Sequence, residues 1–235
     1  MPKSKPVKNT PENIPTHIGY IVDGNRRWAK SQGVSKDVHR RGADVVYDIA
    51  KATIKSKVKF ATFFVFSTEN WNRAPEEVSY LMNLFISYFE EKIEELKSEN
   101  IRVIFLGTRD RLSEKILNLM DETEESTKHG TAGTVCFCFN YGGHQEITDA
   151  ANQALKSGAT ELTPDLIAAN IYHPEIPPVD LVVRTGGELR ISNFMLWRIA
   201  YAELLFLDQL WPELTPDSVT EILAEYARRS RRFGR

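Results

Sequence analysis

Apolar positions along the chain switch period repeatedly. Residues 17–22 (HIGYIV) form a short apolar run, the pattern of a buried strand, whereas residues 42–56 carry Val45, Val46, Ile49, Ala50 and Ile54 at helical spacing. Residues 60–66 (FATFFVF) predict a second strand. Over Pro75–Ser98 the apolar positions Val78, Leu81, Met82, Phe85, Phe89, Ile93 and Leu96 recur at three and four, which predicts a long helix. Pro75, Glu76 and Glu77 suit its first turn, because proline lacks only a donor that is orphaned there and acids oppose the dipole. The pattern then predicts strands at 102–106, 134–141, 181–184 and 204–207. Helices are expected at 111–120, 145–156, 194–202 and 216–232, with a short one opened by Thr163, Pro164 and Asp165. Strands that alternate with helices need crossover connections. The expected fold class is therefore α/β: a mainly parallel central sheet of about six strands flanked by helices, in a single domain over residues 17–235.

The first sixteen residues hold four prolines and three lysines and no apolar h-region, so they read as a flexible tail and not as a secretory signal. No apolar run is long enough to span a bilayer. A cytoplasmic enzyme with at most peripheral membrane contact is the expectation. Lys+Arg number 30 and Asp+Glu 32, a net charge of -2, so any anion binding must come from local clusters. Arg228, Arg229, Arg231, Arg232 and Arg235 crowd the C-terminus, but the chain is net acidic and has no recognition motif, so no nucleic-acid partner is expected. Cys136 and Cys138 are too few for a disulfide framework or a structural zinc site, and read as two small buried residues on one face of a strand.

Ligands of open α/β sheets sit outside the carboxyl ends of the strands. The predicted strand ends carry DGNRRW from Asp23, STENWNR from Ser67, GTR from Gly107, NYGG from Asn140 and RTGGELRISN from Arg184. Glycine lets a backbone approach a ligand closely, a following helix offers free N–H groups, and arginine grips phosphate in a bidentate fork. An aspartate beside such groups suits Mg²⁺, which prefers one or two carboxylates plus phosphate oxygens. Each loop alone reads equally well as a turn or a solvated surface; together they suit an oligo-anion. The G-x-x-x-x-G-K-[ST], G-x-G-x-x-G and G-x-S-x-G signatures are missing, which counts against a nucleoside triphosphatase, a dinucleotide dehydrogenase and an α/β-hydrolase.

The segments DGNRRWAK (23–30), FSTENWNRAP (66–75), NYGG (140–143), VDLVVRTGGELRISNF (179–194), AYAE (200–203) and RRFG (231–234) resemble, in order and spacing, the signature segments of the cis-prenyltransferases, the undecaprenyl diphosphate synthase family. The resemblance implies a homodimer that condenses isopentenyl diphosphate onto an allylic diphosphate, such as farnesyl diphosphate, with Mg²⁺ and forms Z double bonds. It implies Asp23 and Glu203 as metal-associated carboxylates, and Asp23 and Asn70 as catalytic. Gly24, Asn25, Arg26, Arg27, Trp28 and His39 match the allylic diphosphate loop. Ser67, Thr68, Glu69, Trp71 and Arg73 match the second-strand loop, and Arg184, Arg190, Ile191 and Ser192 the isopentenyl diphosphate pocket. Arg26 stands where many members have glycine, Leu189 where some have a histidine near the metal, and His144 where arginine is common. The stretch 33–39 is one residue short and lacks the usual arginine, for which Lys36 is the substitute. Asn70 is a poor base, so it is expected to orient a diphosphate oxygen or a water that takes the proton. The growing chain needs an apolar tunnel, for which Leu81, Met82, Leu84, Phe85, Ile86, Tyr88 and Phe89, with Phe63 and Val65, are candidates, although ordinary core accounts for most of them.

Overall fold

The computed structural model describes residues 13–33 and 38–229. The tail predicted over 1–16 lies outside the described residues but for its last four, as do Lys36 and the RRFG segment. Six strands, β1 (His17–Ile21), β2 (Phe60–Ser67), β3 (Ile101–Leu106), β4 (Gly133–Tyr141), β5 (Leu181–Arg184) and β6 (Glu203–Phe206), form one sheet in the order β3-β4-β2-β1-β5-β6. Every pairing is parallel. All carboxyl ends therefore share one edge, and the order reverses about β1, so the loops after β1, β2 and β5 are neighbours.

Seven α-helices flank the sheet among the described residues: α1 (Asn25–Gln32), α2 (Val38–Lys55), α3 (Pro75–Ser98), α4 (Glu114–Thr127), α5 (Gly143–Lys156), α6 (Pro164–Asn170) and α7 (Pro216–Arg228). Strands β1, β2 and β4 are apolar on both faces, as a covered parallel sheet requires. On one face Tyr20, Phe63, Phe137 and Trp211 pack with α2, α3 and α7; on the other Ile21, Phe64, Cys138 and Tyr141 pack with Phe194 and Met195. Both cysteines are buried and free.

The predicted helix over 194–202 does not form. The segment is a run of turns in which Ser192, Asn193 and Met195 have positive φ, and its apolar residues are buried one by one under the sheet. The predicted helix at 111–120 begins later, because Arg111 takes a positive φ of 65° and the Ser113 hydroxyl accepts from the Ile116 N–H at 3.4 Å as an N-cap. Two elements read from sequence as loop are regular: α1, and a 3₁₀ turn over Thr68–Asn72. No described helix is long and apolar enough to cross a membrane.

Candidate active site

β1 and β5 are adjacent and place Ile21 opposite Arg184, so the residues that follow meet at the sheet edge. Arg184 is 4 % exposed. Its Nη2 donates to Asp23 Oδ2 at 2.7 Å, and its Nη1 donates to the Arg190 carbonyl at 2.6 Å and to Ser192 Oγ at 2.8 Å. Thr185 Oγ1 donates to the Asp23 carbonyl at 2.7 Å and accepts the Asp23 N–H at 3.1 Å, which locks the two loops together. From the other side Arg27 Nη2 reaches Asp23 Oδ1 at 3.2 Å. Burial pushes the Asp23 carboxyl up, but the Arg184 hydrogen bond and the charges of Arg184 and Arg27 outweigh it and hold the group below its ordinary range. Asp23 is thus a carboxylate fixed between two guanidinium groups, with its side chain still 30 % exposed to the cleft.

Two glycines make this geometry possible. Gly24, the residue before α1, has φ 107°, and a Cβ there would stand 2.9 Å from Leu210 Cδ2. Gly186 has φ 88°, and a Cβ there would stand 2.4 Å from Arg27 Nη2. Both positions need the left-handed region that only glycine enters without strain. No side chain caps the N-terminus of α1. Its leading N–H groups therefore face the cleft beside Arg27, an arrangement suited to an anion.

The cleft has a volume of about 400 Å³ and is lined by residues 22–27, His39, Asn70, Arg73, Glu188 and Arg190, among others. Arg190 pairs with Glu188 at 2.6 Å. On the α3 side Glu77 gathers three basic groups: Arg26, Arg73 at 2.9 Å and His39 at 3.9 Å. Burial first, then Arg73, pushes the His39 pKa down, which favours the neutral ring. Asn70 Oδ1 accepts the Ser67 N–H at 3.0 Å, so its oxygen shapes the 3₁₀ turn.

Some expected contacts move to other roles. Ser67, Thr68, Glu69, Trp71, Ile191 and Ser192 do not line the cleft. Trp71 is a strut: its Nε1–H donates to Asn140 Oδ1 at 2.7 Å, its ring meets Phe66, and the Arg111 guanidinium lies 4.3 Å above it. Trp28 is half-buried on α1, also outside the lining. Glu203 stands apart from these residues. It opens β6 opposite Leu181, at the other end of the strands from Arg184, about 10 Å away by strand rise, and pairs with Arg229 at 3.4 Å. Within one chain it cannot share an ion with Asp23. Among the described residues no group of three His, Cys, Asp or Glu could hold a metal. Asp23 alone, with phosphate oxygens of a ligand, matches what Mg²⁺ accepts.

Sequence reasoning passed over Glu77, Glu188 and Thr185. Glu77 had a signal, being four residues after Arg73 and within reach of it on the helix surface. Thr185 and Glu188 lay inside the quoted RTGGELR stretch without a role.

The cleft continues inward. Val22, Asn25, His39, Val65 and Leu81 border both it and a narrow apolar cavity of about 140 Å³ between α2 and α3. Leu84, Phe85, Tyr88 and Phe89 line this cavity as expected. Met82 and Ile86 pack beside the core instead, and Phe63 is fully buried within it. Tyr47, Lys92 and Leu96 lie at its α2–α3 end, with Lys92 Nζ 5.3 Å from the Tyr47 ring centre.

A polar cleft rich in arginine, joined to an apolar passage, suits an amphiphile with an anionic head and a hydrocarbon tail. Residues 21–234 match the family described as putative undecaprenyl diphosphate synthase. An isoprenyl transferase of Thermotoga maritima is 42% identical over 226 residues, covering 94% of this chain and 97% of its own. A ditrans,polycis-undecaprenyl-diphosphate synthase of Haemophilus ducreyi, (2E,6E)-farnesyl-diphosphate specific, is 42% identical over 95% of this chain and 96% of its own. The crystal structure of lavandulyl diphosphate synthase from Lavandula x intermedia, in complex with dimethylallyl diphosphate, superposes with a TM-score of 0.88 at 26% identity, over 94% of this chain and 99% of that one. The chain belongs to the undecaprenyl diphosphate synthase family, and its activity is that of a prenyltransferase.

Proposed function

We propose that the protein condenses isopentenyl diphosphate onto an allylic diphosphate such as farnesyl diphosphate, with Mg²⁺, to give a Z-polyprenyl diphosphate, a lipid-carrier precursor such as undecaprenyl diphosphate. The observation that carries this reading is the join between the Asp23–Arg27 cleft and the apolar cavity under α3. One substrate can lay its diphosphate on the α1 N-terminus and Arg27 while its hydrocarbon enters between α2 and α3.

Departure of the allylic diphosphate builds negative charge, and Arg27, the α1 N–H groups, Arg26 and Arg73 would stabilise it. Mg²⁺ held by Asp23 would supply further neutralisation of that charge. Arg190, on a loop that Arg184 braces through the Arg190 carbonyl and Ser192 Oγ, would hold the second diphosphate so that its double bond faces the allylic carbon. Asn70 faces the same cleft and would orient a diphosphate oxygen or a water that takes the departing proton. Each addition lengthens the apolar tail inside the cavity.

The reading includes a homodimer in the cytoplasm. Support for the dimer is β6, which lies at the edge of the sheet and carries the exposed Leu204 close in sequence to the exposed Tyr201. The test of the reaction is incubation with farnesyl diphosphate and isotopically labelled isopentenyl diphosphate, with NMR of the product. New double bonds of Z geometry are expected. Failure to incorporate label, or E geometry, would contradict the proposal.

A further inference from the structure

A glycine pair such as that of NYGG, at the N-terminus of α5, is a place where bare N–H groups can meet a phosphate. In this chain the pair serves another purpose. Asn193, from the loop after β5, occupies that position: its carbonyl accepts the Gly143 N–H at 2.8 Å, and its Oδ1 accepts the His144 N–H at 2.9 Å. Its Nδ2–H donates to Glu69 Oε1 at 2.9 Å, on the 3₁₀ turn after β2. A Cβ on Gly142 would stand 2.9 Å from Asn193 Nδ2 and 2.6 Å from Thr68 Oγ1, and one on Gly143 would stand 3.0 Å from the Asn193 carbonyl. The glycine pair is the space into which this asparagine fits. Asn193 also holds φ 64°, a left-handed value that asparagine tolerates better than most residues.

Its chain neighbours carry the chemistry. Ser192 accepts from Arg184, the partner of Asp23, and Glu69 precedes Asn70. We propose that Asn193 is a positioning residue that clasps the Arg184–Ser192 loop to the Asn70 turn, so that the second diphosphate and the proton-transfer site are set in register by one amide. Three hydrogen bonds from one residue join the loops after β2, β4 and β5. None of them touches the cleft, so Asn193 acts through its neighbours. The inference rests on the prenyl-transfer reading above, because it is that reaction which needs the two loops in register.

The clasp has a polarity that can be reversed. Asn193→Asp keeps the shape, the tolerance of positive φ and the acceptor for the His144 N–H, and adds a negative charge that favours the α5 N-terminus. It loses only the donor to Glu69 and sets two carboxylates face to face. Adding Glu69→Gln restores a donor, now from the other side. We expect Asn193→Asp to keep its melting temperature and its KM for the primer and to lose about ten-fold or more in kcat, the scale of a small misplacement of reacting groups. The double variant should regain most of that loss despite carrying one change more. Hydrogen exchange at amides 67–72, read without any turnover, should quicken in Asn193→Asp and slow again in the double variant. Full kcat in Asn193→Asp, or a double variant worse than the single, would overturn the clasp while leaving the reaction intact. A wild-type protein that transfers no prenyl group, yet shows the exchange pattern, would overturn the reaction and leave the clasp.

Discussion

Asp23 is gripped by two arginines before any ligand arrives, so its removal acts on more than one group. Asp23→Ala takes away the carboxylate and leaves the buried Arg184 without its charge partner. A loss of about 10²-fold or more in kcat is expected, the scale for deleting one electrostatic element at a transition state. Steady-state kinetics at saturating substrates measures it, and a near-normal kcat would remove Asp23 from the chemistry. Arg190 is different, because its guanidinium is exposed and pairs with Glu188 on the same loop. Arg190→Ala should raise the KM for isopentenyl diphosphate and leave that of the primer nearly unchanged. A loss confined to the primer's KM would mean that the two pockets are assigned the wrong way round. At this scale the sequence exposed the residues whose type and position at a strand end name their chemistry: Asp23, Arg27, Arg184 and Arg190. It hid Asn193, and the pairing of Glu77 with Arg26 and His39, because those partners come from distant segments. It did not show that Trp71, an aromatic in a polar loop, packs on Phe66.

Among the elements, β1 carries a liability in acid. His17 is fully buried, its Nδ1 near the Pro177 carbonyl at 2.9 Å and its Nε2 on Thr62 Oγ1 at 2.7 Å. Burial lowers its pKa from 6.5 to about 4. The fold favours the neutral ring, so the stability it contributes is complete above pH 6.5 and falls as pH drops from there to about 4, where the loss levels off. Up to about 3 kcal/mol is at stake. Denaturant titrations at pH 7 and pH 4.5 should differ, and His17→Gln should narrow the gap; an equal gap in both proteins would show that other groups cause it. Helix α3 was legible to the residue because its apolar stripe is long and its start is marked by proline and acids. The 194–202 segment was not, because burial of Phe194, Met195 and Ile199 under the sheet mimics helical periodicity while positive φ values at Ser192, Asn193 and Met195 forbid a helix there. Leu84 faces the apolar cavity from α3. Leu84→Trp should fill part of it and shift products toward shorter chains on chromatography; an unchanged length distribution would place the growing chain elsewhere.

For the whole molecule, strand and helix alternation made the parallel sheet readable, since parallel neighbours need crossovers. The strand order was not readable, because it depends on which crossovers pass to which side, and the site lies where that order reverses about β1. Glu203 shows the consequence: it opens β6, at the opposite end of the strands from Arg184. On the proposed function, one polar cleft and one apolar passage together lengthen an allylic diphosphate with the help of a divalent cation. The most direct test is chromatography of products formed from labelled isopentenyl diphosphate and farnesyl diphosphate, with Mg²⁺ and with excess chelator. The account predicts a ladder of products, each longer than the primer by whole isoprene units, that disappears with chelator and returns when Mg²⁺ is restored. No product longer than the primer, or a ladder that survives the chelator undiminished, would contradict it.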